Sequence, residues 1–143
     1  CHTPDDHPRW GDAKVGTERV HPTKVMRGAD GSGMGNPGMR CTTCHGEKNS
    51  AEQHAPPGAP AWHLAPVEMV WFGKTSAEIC EQIKDPARNG NRTLADIAEH
   101  VKNDALVGWG WTPGPGREPA PGSIDETYAD LLAWTNAGAP CPK

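Results

Sequence analysis

Five residues, Cys41-Thr42-Thr43-Cys44-His45, constrain this chain more than any other stretch. Residues three and four apart lie on one face of a helix, so Cys41, Cys44 and His45 can all meet one flat ring. Cys-x-x-Cys-His is the attachment signature of c-type haem. The two thiols become thioethers at the haem vinyl groups, and the imidazole of His45 reaches the iron as the proximal ligand. The flanking residues predict a helix here, with Asn36 as N-cap, Pro37 at the first helical position and Gly46 at the stop. Cys-x-x-Cys alone also serves redox dithiols and half zinc sites. A dithiol oxidoreductase needs a βαβ context, and none follows. A zinc site needs a second ligand pair at short spacing, and the sequence has none. The competing reading is a structural cysteine pair.

A haem would also answer a problem of composition. The chain has 143 residues, of which 35% are hydrophobic, with a single Phe and a single Tyr. Gly (17) and Pro (15) together exceed a fifth of it. One loop-rich domain with a thin core is the expectation, and a large apolar disc would become part of that core. Six Trp residues (Trp10, Trp62, Trp71, Trp109, Trp111, Trp134) supply most of the aromatic area and read as core. The net charge of −4 and the absence of a basic stripe argue against a nucleic-acid partner. No run of about 18 apolar residues exists to span a membrane, and no signal peptide is visible. Haem attachment at such a motif normally follows export, so a periplasmic or extracellular location is expected, where disulfides form.

The cysteines fit that compartment. Of five, Cys1, Cys41, Cys44, Cys80 and Cys141, the haem takes two. The favoured arrangement pairs Cys80 with Cys141 and leaves Cys1 as a lipidated N-terminus, the only expected route to a membrane. Cys1 could instead pair with Cys80 or Cys141. Cys1-His2 could also be the tail of another haem motif, or Cys1 could hold a haem by one thioether.

Along the chain, residues 1–35 show no period for a helix or strand. They carry His2, His7 and His21, read as exposed loop histidines, one of them a ligand if a second haem exists. Gly28, Gly31, Gly33, Gly35 and Gly38 form no phosphate loop, since no Gly-Lys-Ser/Thr follows. They suit a backbone passing close to a haem edge. Residues 46–66 read as an extended wrap with His54 and His63, and 67–72 as one helical turn or a short strand. Three capped helices follow. Thr75 with Glu78 opens one that runs to about Lys84, with a stripe of Ile79 and Ile83. Thr93 with Asp96 opens the second, with a stripe of Leu94, Ile97, Ala98, Val101 and Ala105. Ser123 with Glu126 opens the last, ended by Gly138 and Pro140. Between the last two lies a long loop, Val107 to Gly122, of the kind often functional.

The order of these pieces resembles the monohaem class I type of cytochrome c. The matching parts are Gly31-Ser32-Gly33, Cys41 to Gly46, and Thr127 to Asn136 as a closing helix. The resemblance covers roughly the last 115 residues. Gly108 to Gly116 also looks like uncharacterised bacterial cytochrome-like proteins encoded near oxidoreductases. The resemblance implies a mainly α, loop-rich, single domain over 1–143: an N-terminal segment, 1–35, and a haem-binding helical core, 36–143. It implies a second iron ligand, usually Met, on the loop before the last helix. Residues 107–122 hold no Met, His, Lys or Cys, so that ligand comes from elsewhere or is absent.

His100 is the leading candidate for the second ligand, although it sits about 110° from the centre of its helix's apolar stripe. Met69 and His63 follow, then His54, an upstream residue or an open site. Arg40, Arg88, Arg92 and Arg117 are candidates for the haem propionates. The expected function is electron transfer through one covalent c-type haem (heme c), without enzymatic activity, and with transient redox partner proteins. The alternatives are a haem enzyme or gas/redox sensor with an open sixth iron position, a subunit of a multi-haem assembly, and a haem-free module.

Overall fold

In the computed structural model, the described residues are 2, 9–10, 19–21, 23, 25–52 and 55–143. The expectations placed on Cys1, His7 and His54 therefore lie outside the described residues. Helices are the regular elements of any length, and the strands are two residues each. The chain falls into two compact units, Cys1–Phe72 and Gly73–Lys143. The sequence-based boundary at residue 36 lies inside the first unit.

Among its described residues, the first unit is built mainly of loops. Strand β1 (Arg9–Trp10) pairs antiparallel with β2 (Arg19–Val20), and β3 (Gly35–Asn36) pairs with β4 (Met39–Arg40). The second pair corrects the expected helix start. Asn36 lies in a strand, Pro37-Gly38 makes the two-residue turn, and Asn36 pairs with Met39. Pro37 presets the turn angle here, the same property that suits a first helical residue. Helical geometry begins only at a 3-10 turn, Cys41–Thr43.

The Pro-rich wrap folds back onto the Gly-rich lead-in. The Leu64 amide donates to the Gly33 carbonyl (3.0 Å), and the buried Arg27 guanidinium donates to the Ala65 carbonyl. Gly33 has φ +72°, and a Cβ there would stand 2.3 Å from the Leu64 carbonyl oxygen. Only glycine allows this approach. The glycine thus brings backbone against backbone. A 3-10 turn, Val67–Met69, occupies the short apolar stretch.

The second unit carries the helices. Helix α1 (Ser76–Lys84) opens on the Thr75–Glu78 capping box, and α2 (Leu94–Asn103) on the Thr93–Asp96 box. The expected stripe of α1 is displaced: Gln82 is buried, whereas Ile79 and Ile83 are half-buried. The turn between these helices is tied by the buried side chain of Asn89. Its amide donates to the carbonyls of Ile83 (2.8 Å) and Arg92 (3.0 Å), and its oxygen accepts from the Arg92 amide (2.8 Å). That satisfies the group completely, as burial demands.

Helix α2 ends sooner than its stripe suggests. Asp104 closes it and caps α3 (Ala105–Trp109), accepting from the amides of Leu106 and Val107. Ala105 therefore belongs to α3, and the long loop starts after Trp109. The loop is closed by a bond from the Ala120 amide to the Gly110 carbonyl (2.8 Å) and by Trp111 Nε1–H donating to the Pro121 carbonyl (3.2 Å). Helix α4 (Ile124–Asn136) packs on α2. Its end is a Schellman motif: Gly138 has φ +86°, and the amides of Gly138 and Ala139 reach the carbonyls of Thr135 and Trp134. Cys80 and Cys141 are joined, S–S 2.00 Å.

Among the described residues the buried apolar set is small: Ala59, Leu64, Ala98, Leu106 and Ala139. Every Trp whose side chain is described is half-buried. Trp62 and Trp71 lie against histidine rings (below), where the sequence suggested ordinary core. Among the described residues, no helix is long and apolar enough to cross a membrane.

Candidate functional site

The motif residues form one tight turn in the first unit. The amides of Cys44 (3.2 Å) and His45 (3.0 Å) both donate to the Cys41 carbonyl. This compacts the pentapeptide so that both sulfurs and the imidazole rise from one turn. Cys41 and Cys44 are both free thiols, not joined to each other. Cys41 is half-buried and Cys44 exposed. Cys41 Sγ lies 3.7 Å from the Gly33 carbonyl oxygen, so the same carbonyl serves Leu64 and the thiol. Burial pushes the Cys41 thiol above its ordinary range; a backbone hydrogen bond and the nearby Arg27 charge partly offset this. Arg27 is a part of the site that the sequence did not single out. Its signal was weak: one Arg at the start of a glycine-rich run.

His45 is held on two sides. Its Nδ1–H donates to the Pro57 carbonyl oxygen at 2.7 Å. A carbonyl can only accept, so Nδ1 carries the proton and the neutral ring has its lone pair on Nε2. The ring also stacks on Trp62, with centroids 4.1 Å apart and planes within 9°. Pro57 and Trp62 come from the Pro-rich wrap, whose prolines hold the strap extended. The wrap is anchored at Gly58, whose amide donates to the Asn49 side chain (3.0 Å). A Cβ on Gly58 would stand 2.0 Å from the Lys48 carbonyl oxygen.

A second histidine repeats the pattern. His2 stacks on Trp71 (3.5 Å, 3°), and its Nδ1–H donates to the Met69 carbonyl (2.6 Å). The Trp71 amide donates back to the His2 carbonyl (3.1 Å).

The remaining expected residues are placed as follows. His63 donates from Nδ1 to the Ala61 carbonyl (2.6 Å). Met69 is half-buried in its 3-10 turn. His100 is in the second unit, in the last turn of α2, with Nδ1 3.6 Å from the Asp104 carboxylate and a side chain 37% exposed. His21, read from the sequence as an exposed loop histidine and covered for the second ligand only as an upstream residue, lies beside His45. Its ring centroid is 6.1 Å from that of His45, at an interplanar angle of 67°. The two are 24 positions apart, and no local pattern could have joined them. Of the propionate candidates, Arg40, Arg92 and Arg117 are exposed and Arg88 is half-buried.

Among the described residues no three or more His, Cys, Asp or Glu side chains gather as a metal cluster. A haem needs no such cluster, because the macrocycle supplies four ligands and the protein only the axial ones. The donor set fits this demand: two unbridged thiols and a neutral imidazole on one turn. No protein-family model, no curated protein and no solved structure matches the chain.

Proposed function

We propose that the chain is a c-type cytochrome that carries one covalently attached haem and transfers single electrons. The observation that carries this reading is the hydrogen bond from His45 Nδ1–H to the Pro57 carbonyl, made by the histidine of a Cys-x-x-Cys-His turn. Metal-binding histidines almost always donate their other ring N–H in this way, which fixes the tautomer and aims the ring.

When bound, the haem supplies an iron that changes between ferric and ferrous. Cys41 and Cys44 would hold it, each thiol adding its S–H across one vinyl double bond to leave a thioether. His45 would hold the iron through Nε2, with the Trp62 stack keeping its ring from turning. Large apolar side chains of the first unit stand at its surface, Met26, Met39, Val67 and Phe72 among them. A flat apolar ring is a natural partner for such surface. The small cytochrome-like domain, its assembly after export and its transient redox partners belong to the same proposal.

The test is direct. Protein produced in an exporting, haem-attaching host is red, and its intact mass exceeds that of the chain by one haem that survives denaturation. The Cys41→Ala/Cys44→Ala double variant loses that mass. A colourless wild-type protein of unmodified mass sinks the reading.

A further inference from the structure

We propose that Cys80 is the entry point for an external thiol: a thiolate attacks Cys80 Sγ in the Cys80–Cys141 bridge, and Cys141 departs. The proposal concerns the second unit alone and stands whether or not the chain carries haem.

The two cysteines of the bridge are both half-buried, so access alone does not choose between them. What differs is the charge beside each sulfur. Lys84 Nζ lies 3.8 Å from Cys141 Sγ. The Pro140 carbonyl oxygen lies 3.9 Å from Cys80 Sγ. Trp134 Nε1–H holds that oxygen in place by donating to it at 2.9 Å. In thiol–disulfide exchange the attacking and leaving sulfurs share the negative charge, and the sulfur with the more stable thiolate leaves faster. Attack at Cys80 puts the departing charge on Cys141, facing an ammonium. Attack at Cys141 puts it on Cys80, facing the negative end of a carbonyl dipole. Both neighbours favour the first route. Glu81 tempers it, because its carboxylate stands 3.5 Å from Lys84 Nζ; the two side chains are 64% and 31% exposed.

The step balances. The incoming thiolate, its proton already lost to solvent, forms an S–S bond to Cys80 as the bond to Cys141 breaks, and Cys141 keeps the electron pair. A monothiol stops at this mixed disulfide. In a dithiol reductant the second thiolate then attacks the reductant's own sulfur, closes its ring and releases Cys80 as thiolate; the reductant loses two electrons and the bridge gains them. The class of partner is therefore a thiol or dithiol. Helix α2 packs on α3 and α4, and the bridge ties α1 to the segment that leaves α4. Opening it removes that tie without breaking any bond of the α2–α4 contact.

The experiment uses the full folded chain, its free thiols first blocked with iodoacetamide and the excess removed. 2-Mercaptoethanol, a thiol with no other charge, is added. Samples are quenched in excess N-ethylmaleimide, and peptide mapping by mass spectrometry locates both labels. The expected product carries mercaptoethanol on Cys80 and maleimide on Cys141. Lys84→Met slows opening roughly two- to fivefold, the worth of one exposed charge contact, and weakens the preference for Cys80. Lys84→Arg keeps both rate and preference, and Glu81→Gln speeds opening. Intact mass and circular dichroism, taken before the thiol is added, establish that each variant is bridged and folded. Mercaptoethanol on Cys141, or on both cysteines equally, overturns the proposal. So does a Lys84→Met chain that opens as fast as wild type, or a bridge that opens only after the chain is unfolded.

Discussion

Four histidines of the first unit share one habit. Each donates Nδ1–H to a main-chain carbonyl: His2 to Met69, His21 to Thr23, His45 to Pro57 and His63 to Ala61. A backbone partner fixes a ring more firmly than a mobile side chain does, and it selects the tautomer with Nε2 as acceptor. The two cysteines beside them differ in a way that chemistry can read. Thiolate, not thiol, is the nucleophile, and burial raises the Cys41 thiol. Less of Cys41 is therefore ionised at neutral pH than of an ordinary thiol, and its reaction rises only as pH climbs through that raised value. In haem-free protein, iodoacetamide labels exposed Cys44 before half-buried Cys41 at neutral pH, and the gap narrows as pH increases. Because the Arg27 charge partly offsets burial, Arg27→Gln slows Cys41 further. Peptide mapping by mass spectrometry checks both orders; equal labelling in neutral buffer would contradict them.

At the scale of elements, legibility followed locality. The starts of α1, α2 and α4 could be read because a capping side chain answers an amide three residues away, and Thr75, Thr93 and Ser123 each accept that bond. The end of α4 could be read from Gly138 for the same reason. Asp104 was missed because the apolar period runs straight through it. Its carboxylate nonetheless takes two amides, of Leu106 and Val107, and restarts the helix. Asp104→Ala should cost about 1 kcal/mol, whereas Asp104→Asn, which keeps an acceptor, should cost much less. Urea unfolding of the two variants measures this, and equal losses would deny the cap. The β3–β4 hairpin was misread because Asn-Pro suits a turn as well as a helix start. What separates the two is tertiary: the Gly35 amide donates to the Arg27 carbonyl (2.9 Å) and the Cys41 amide to the Met34 carbonyl (3.0 Å). His21 beside His45 was illegible for a related reason, since the contact depends on a path through space that no spacing encodes.

On the scale of the whole molecule, few large apolar side chains among the described residues are buried, and covalent closure matters accordingly. Cys80 and Cys141 are separated by 61 positions and enclose most of the second unit. Closing a loop of that length restricts the unfolded chain by roughly 4 kcal/mol. The Cys80→Ser/Cys141→Ser double variant should lose about that much in denaturant unfolding of the oxidised protein; a loss below about 1 kcal/mol would place the stability elsewhere. On the outer side of the α2–α4 contact, Lys102 meets Asp125 at 2.6 Å and lies 4.9 Å from the centre of the Tyr128 ring. Lys102 and Asp125 are solvent-exposed, and such surface pairs add little.

The separation of Cys41-Cys44 from Cys80-Cys141 carries a consequence for biosynthesis. Four cysteines can be joined into two bridges in three ways, and on the haem reading proposed above all three would spoil the site, because each uses both motif sulfurs. The same oxidant that completes one pair would then inactivate the other. On that reading a correct molecule would depend on timing: thioethers formed first would take Cys41 and Cys44 out of the exchange pool, and among these four residues only one bridge would be left to make. Attachment first would then be a proofreading order, and a chain that met its oxidant too early would be lost to haem attachment even though every residue is correct.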